Sequence, residues 1–139
     1  MTKEVSMLGK LVIKDGKSGL AAPLVSKLAD DVKIQGNAVR YEYFIAGNEV
    51  HLFEAYPDSD GWERHVDRFL ENYADEFLTI FEPNQMFAYG TVSQKLKEKI
   101  KGFGFSYLNK LGGVYIHTAV MYFCLTVLTK VDTLLQKLD

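Results

Sequence analysis

The sequence predicts an α+β fold of the ferredoxin-like, split βαβ kind: a four-stranded antiparallel sheet with helices on one face, followed by a mostly helical C-terminal extension. Three observations predict it. The apolar periodicity switches between about two and about 3.6 residues in the order β-α-β-β-α-β. Gly47-Asn48 joins two runs rich in aromatic and β-branched residues, the signal of a two-residue hairpin. The strand segments are apolar on both faces, Phe44 and Phe53 included, so helices on one side leave an apolar sheet face that needs a partner.

Taken in order, Met7 to Lys14 reads as a strand ending at the turn Asp15-Gly16. Residues 19–32 read as a helix with Leu20, Leu24, Leu28 and Val32 on one stripe, and Pro23 fits only in its first turn. Gly36-Asn37 breaks the chain before the hairpin. With Gly47 and Asn48 as the loop, counting outward sets Ala46 opposite Glu49, Tyr43 opposite Leu52 and Tyr41 opposite Glu54. One face then carries Val39, Tyr41, Tyr43, Ile45, Val50, Leu52, Glu54 and Tyr56; the other carries Arg40, Glu42, Phe44, Ala46, His51, Phe53 and Ala55. Glu54 is a carboxylate on the more apolar face. It either satisfies Tyr41 across the strands or anchors a ligand.

A helix starts at Ser59, capped by Asp58 or Ser59, with Trp62, Val66, Phe69 and Tyr73 facing inward. A second piece, 74–81, stops at Glu82-Pro83, and Gln85 to Tyr89 forms the fourth strand. Thr91 with Gln94 reads as a capping box for a helix through Lys101 with Val92, Leu96 and Ile100 on its apolar stripe. This makes residues 1–104 one domain. In the extension, 105–139, Val120, Cys124, Val127, Val131, Leu134 and Leu138 follow heptad-like spacing and predict an amphipathic helix docked on protein. The uncharged run 111–129 is at the short end of what spans a bilayer and contains polar side chains, so a membrane partner is not expected.

Composition bounds the function. At 139 residues, 47% apolar and 24% charged, the chain has the make-up of a globular protein, and a net charge of −2 gives no footing for nucleic acid. The single cysteine excludes an internal disulfide and fits a reducing compartment, so a cytoplasmic location is expected. His51, His65, His117 and Cys124 have no metal-ligand spacing, so no metal is expected. The N-terminal stretch is too short and interrupted to read as a secretory leader. His65 follows Trp62 by three residues and precedes Phe69 by four, which sets all three on one side of their helix. Imidazoles titrate near pH 6.5, which suits proton transfer, although a half-buried structural histidine is an equal reading.

The stretch Arg40-Tyr-Glu-Tyr-Phe, the strand ending at Glu54-Ala-Tyr56, the Asp58-Ser59 helix start and the following His65 resemble the antibiotic-biosynthesis-monooxygenase-like family of the dimeric α+β barrel superfamily. The segment from Phe81 to Gly90 is similar to that family's last strand, and the resemblance spans about Met7 to Gly104. It implies a homodimer in which two sheets pack face to face. It also implies a monooxygenase needing neither flavin nor metal, and hence no cofactor, acting on a small phenolic or quinol-like substrate. The electron-rich phenolate reacts with dioxygen itself. The residues implied are His65 and Glu54 as catalytic, with Tyr41, Tyr43, Trp62, Phe69 and Tyr73 binding the small aromatic molecule. Haem-degrading relatives carry Trp at the position of His65 and Asn in the first strand; this chain has neither, which argues against haem. The alternative is a non-catalytic dimeric small-molecule-binding protein of the same fold. A third reading, a structural module assembled through its tail, requires Trp62, Phe69 and Tyr73 to fill the interior themselves.

Overall fold

The computed structural model describes residues 3–116 and Val127. Apart from Val127, the helix expected over 120–138 and its heptad seam lie outside the described residues, as do His117 and Cys124.

The strands are β1 (Val5–Ile13), β2 (Arg40–Ala46), β3 (Glu49–Tyr56), β4 (Phe81–Tyr89) and β5 (Phe105–Leu108). The helices are α1 (Ser18–Gln35), α2 (Ser59–Asn72), α3 (Ala74–Ile80) and α4 (Gln94–Ile100), the last followed by a short 3₁₀ turn at Lys101–Phe103. The sheet order is β2-β3-β1-β4-β5. Four strands are antiparallel, as the split βαβ order demands. The fifth, which the sequence reading does not contain, runs parallel to β4 through Met86↔Phe105 to Tyr89↔Leu108. Its four residues are too few to show periodicity against the apolar tail that follows.

The Gly47-Asn48 turn sets the predicted register: Tyr41↔Glu54, Tyr43↔Leu52 and Ala46↔Glu49. Gly47 has φ 63 and no non-glycine residue among those described has positive φ, the pattern of a turn with glycine at its first central position. On the helix-covered face Val5, Met7, Leu11, Ile13, Val50 and Leu52 are buried. They meet Leu24 and Leu28 of α1, Trp62 and Val66 of α2, Phe77 of α3 and Leu96 of α4 in one core. The opposite face carries Leu8 and Phe53 as a cross-strand pair. Beside them Phe44 is 49% exposed and sits edge-on to Phe53 at 5.9 Å.

Four local expectations are corrected. Pro23 lies inside α1, one turn deeper than its missing N–H prefers; both Pro23 and Gly19, whose carbonyl it would otherwise bond, are on the exposed side, where water replaces the lost bond. Leu20 is half-exposed and Ala21 takes the buried place on that stripe. β4 starts at Phe81, not after Pro83. The register slips between Lys10 and Leu11, so Leu11 pairs with Pro83 and Asn84 is the extra residue of a bulge. A proline is tolerated at a bulge, and β5 does not reach that far along β4. Finally, α4 is capped by Ser93, whose Oγ accepts from the Leu96 N–H at 3.2 Å, rather than by Thr91. The Ser93 N–H in turn donates to Ser59 Oγ at 2.9 Å, which ties the start of α4 to the start of α2.

Candidate active site

α2 is placed by its cap. Asp58 accepts from the Gly61 N–H at 2.8 Å, and acidic Asp60 lies in the first turn. From there the helical repeat turns Trp62, His65, Val66 and Phe69 toward the sheet, where β2 and β3 present Tyr41, Tyr43, Leu52 and Glu54. Between them is a cavity of about 60 Å³. Its far side is made by Phe77 and Leu78 of α3, Pro83 and Met86 of β4, and Phe103 and Phe105.

One end of the cavity is polar. Glu54 is buried and accepts a 2.7 Å hydrogen bond from the Tyr56 hydroxyl. His65 is 5% exposed, with Nε2 4.0 Å from Glu54 Oε1, within electrostatic reach but beyond a hydrogen bond. Its Nδ1 is buried and has no hydrogen-bond partner among the described residues. The Tyr41 and Tyr43 hydroxyls are 3.1 Å apart and bond to each other. The Tyr41 ring stands edge-on to the imidazole at 5.3 Å, and Tyr56 stacks between His65 and Trp62 at 5.7 and 6.0 Å. The rest of the wall is apolar.

Burial governs the charges here. It pushes the Glu54 carboxyl above the usual carboxylate range, against the attraction of His65 and the bond from Tyr56. Burial also raises the Tyr41, Tyr43 and Tyr56 phenols, with the neighbouring Glu54 charge adding to each. The three tyrosines are therefore neutral donors at physiological pH. The arrangement offers a mostly apolar cavity with one unsatisfied nitrogen in its wall residues, a carboxyl group behind it and phenols beside it. Among the described residues no three His, Cys, Asp or Glu side chains converge to hold a metal ion.

Six of the seven residues named from sequence line the cavity: His65, Glu54, Tyr41, Tyr43, Trp62 and Phe69. Tyr73 does not. It lies beyond the end of α2, where its hydroxyl bonds Asp31 and Lys27 sits 5.4 Å from its ring. The helical stripe breaks there because α2 ends at Asn72 and Tyr73 is the cap. The Tyr41–Glu54 hydrogen bond considered from the register also does not form. Tyr56, two residues along the same strand face, takes the carboxylate instead. Tyr56 was legible from that spacing. Met7 and Met86, which also line the cavity, were not, because an inward methionine reads only as core.

A buried acid–imidazole–phenol cluster stands at the end of an apolar cavity, set between the sheet of a split βαβ α+β fold and its helix. No protein-family model matches the chain, and no curated protein sequence does either. Solved structures do share its fold. MupZ from Pseudomonas fluorescens superposes with a TM-score of 0.75 at 12% identity, over 84% of this chain and 97% of that one. SnoaB from Streptomyces nogalater, described as a cofactor-independent oxygenase, gives 0.55 at 14% identity, over 66% and 96%. Rv0793 from Mycobacterium tuberculosis gives 0.56 at 14% identity, over 66% and 97%. At these identities the likeness is one of fold. No helix among the described residues is long and apolar enough to cross a membrane.

Proposed function

We propose that the chain is a cofactor-independent monooxygenase of the antibiotic-biosynthesis-monooxygenase-like kind, acting on a small phenolic or quinol-like molecule as a homodimer. The observation that carries this is the orphan Nδ1 of buried His65 in the wall of an apolar cavity. Buried polar atoms are nearly always paired, and an unpaired one on a residue that lines a cavity supports the reading of an acceptor for a ligand's donor. A phenol O–H is such a donor. Its proton passes to the imidazole, Glu54 stabilises the resulting imidazolium, and the cavity holds the phenolate ring. The phenolate carbanion then gives its electrons to dioxygen. One oxygen forms a bond to the ring carbon and the other leaves as water after proton transfer, so a phenol and O₂ become a quinone and water with both electron pairs drawn from the substrate. The fold shared with SnoaB supports the same class of chemistry.

The test is oxygen uptake with a panel of phenols and quinols, wild type beside His65→Gln. Loss of a general base typically slows turnover by about 10²–10⁴-fold. His65→Gln should show that loss with an unchanged circular dichroism spectrum. Full activity of the variant on a substrate the wild type oxidises overturns the role of His65. Binding without oxygen uptake across the panel leaves the dimeric small-molecule-binding protein.

A further inference from the structure

Gly9 stands in the middle of β1 with its side-chain direction inward, between buried Met7 and Leu11. Its cross-strand partners are Leu52 on one side and Met86 on the other. Glycine in a strand interior weakens the strand relative to alanine, and it marks places where a ligand or another backbone approaches the sheet closely. The three atoms nearest a Cβ built on Gly9 are the Met7 Cε and the Met86 Cε and Sδ, each at 3.2 Å, all of them side-chain ends. Two thioether ends, the most pliable groups in the wall, are folded into a hole the sheet leaves open.

That hole adjoins the cavity, because Met7 and Met86, which fill it, both stand in the cavity wall. Met7 pairs with Glu54 across β1 and β3. Met86 is half-buried, and the same wall holds half-buried Pro83 and Phe103 and Leu78, 42% exposed. The present cavity of about 60 Å³ is smaller than the roughly 150 Å³ that admits one benzene ring. Each thioether end occupies the space of about two waters at roughly 30 Å³ each. Moving both aside opens roughly 120 Å³ more, which favours one substituted ring over fused ones.

We infer that Gly9 is the platform on which the ring of a single-ring phenol or quinol lies, and that Met7 and Met86 withdraw to admit it. This rests on the reading of the cavity as a phenol site. Gly9 and Met86 thereby set the size of ring admitted, while His65 receives the hydroxyl with Glu54 behind it.

The experiment is titration of the full chain with phenol and with 2-naphthol, followed by NMR chemical shifts at a temperature where every variant is folded. Wild type binds phenol in preference to 2-naphthol. Gly9→Ala melts at the same temperature or higher, since the atoms nearest its Cβ are movable ends, yet binds phenol at least tenfold more weakly; Gly9→Val loses it further. Met86→Ala keeps phenol and gains at least tenfold in affinity for 2-naphthol. Equal phenol affinity in wild type and Gly9→Ala overturns the platform, as does a wild type that binds no phenol at millimolar concentration. The oxygenase proposal fails separately: phenol binding that is lost in Gly9→Ala, with no oxygen uptake in any variant, keeps the platform and removes the chemistry.

Discussion

Asp31 and Arg68 hold the helix that carries His65, and removing their bond has a calculable cost. Arg68 donates to both Asp31 oxygens from Nε, at 2.9 and 2.7 Å, and to Oδ1 from Nη2 at 2.6 Å. Gln35 and Tyr73 bond the same carboxylate. The guanidinium first of all, against the opposing effect of burial, lowers the Asp31 carboxyl from 3.8 to about 2. At 1.36 kcal/mol per unit this corresponds to about 2.4 kcal/mol; the Arg68 side chain is 48% exposed, and solvent screening brings the contribution to about 1–2 kcal/mol. Because the folded-state pKa is depressed, this stability is present in full above about pH 4 and drains away as the pH falls toward 2. Asp31→Asn should therefore be less stable than wild type by about 1–2 kcal/mol at pH 7 in urea unfolding, and the two should converge between pH 4 and pH 2. A difference of the same size at pH 3 as at pH 7, or no difference at pH 7, refutes the ion-pair account of this clasp.

Glu54 carries the opposite sign. Its folded pKa is raised, so its ionised form opposes folding at neutral pH, and that penalty fades as the pH drops toward the free carboxyl value of 4.5. Glu54→Gln, which keeps an acceptor for Tyr56, should melt higher than wild type at pH 7, with a gap that narrows toward pH 4.5; a variant that melts lower at pH 7 contradicts this. The sheet face opposite the helices should form the homodimer. Sedimentation should give a dimer for wild type at micromolar concentration and a monomer for Phe44→Glu, whose site is 49% exposed in the single chain and tolerates the charge there. A dimeric Phe44→Glu protein would place the interface elsewhere.

The sequence by itself determined the order of the elements, the hairpin register and the face on which Glu54, Tyr41 and His65 stand. All three are local: a glycine turn with a two-residue loop leaves one pairing, and the helical repeat between Trp62 and Phe69 leaves one side for His65. What the tertiary structure decided is which way side chains turn and which partners distant in the chain they meet. Tyr56 rather than Tyr41 takes the Glu54 carboxylate, because the choice is between side-chain directions and not Cα pairings. Tyr73 leaves the cavity for Asp31, 42 residues earlier, because α2 ends one residue short of it. The fifth strand forms only against β4, and four residues carry too little pattern to announce themselves. Met7 and Met86 converge over Gly9 from two positions 79 residues apart. Periodicity records which way a side chain faces, whereas the absence of one is visible only in the space its neighbours fill.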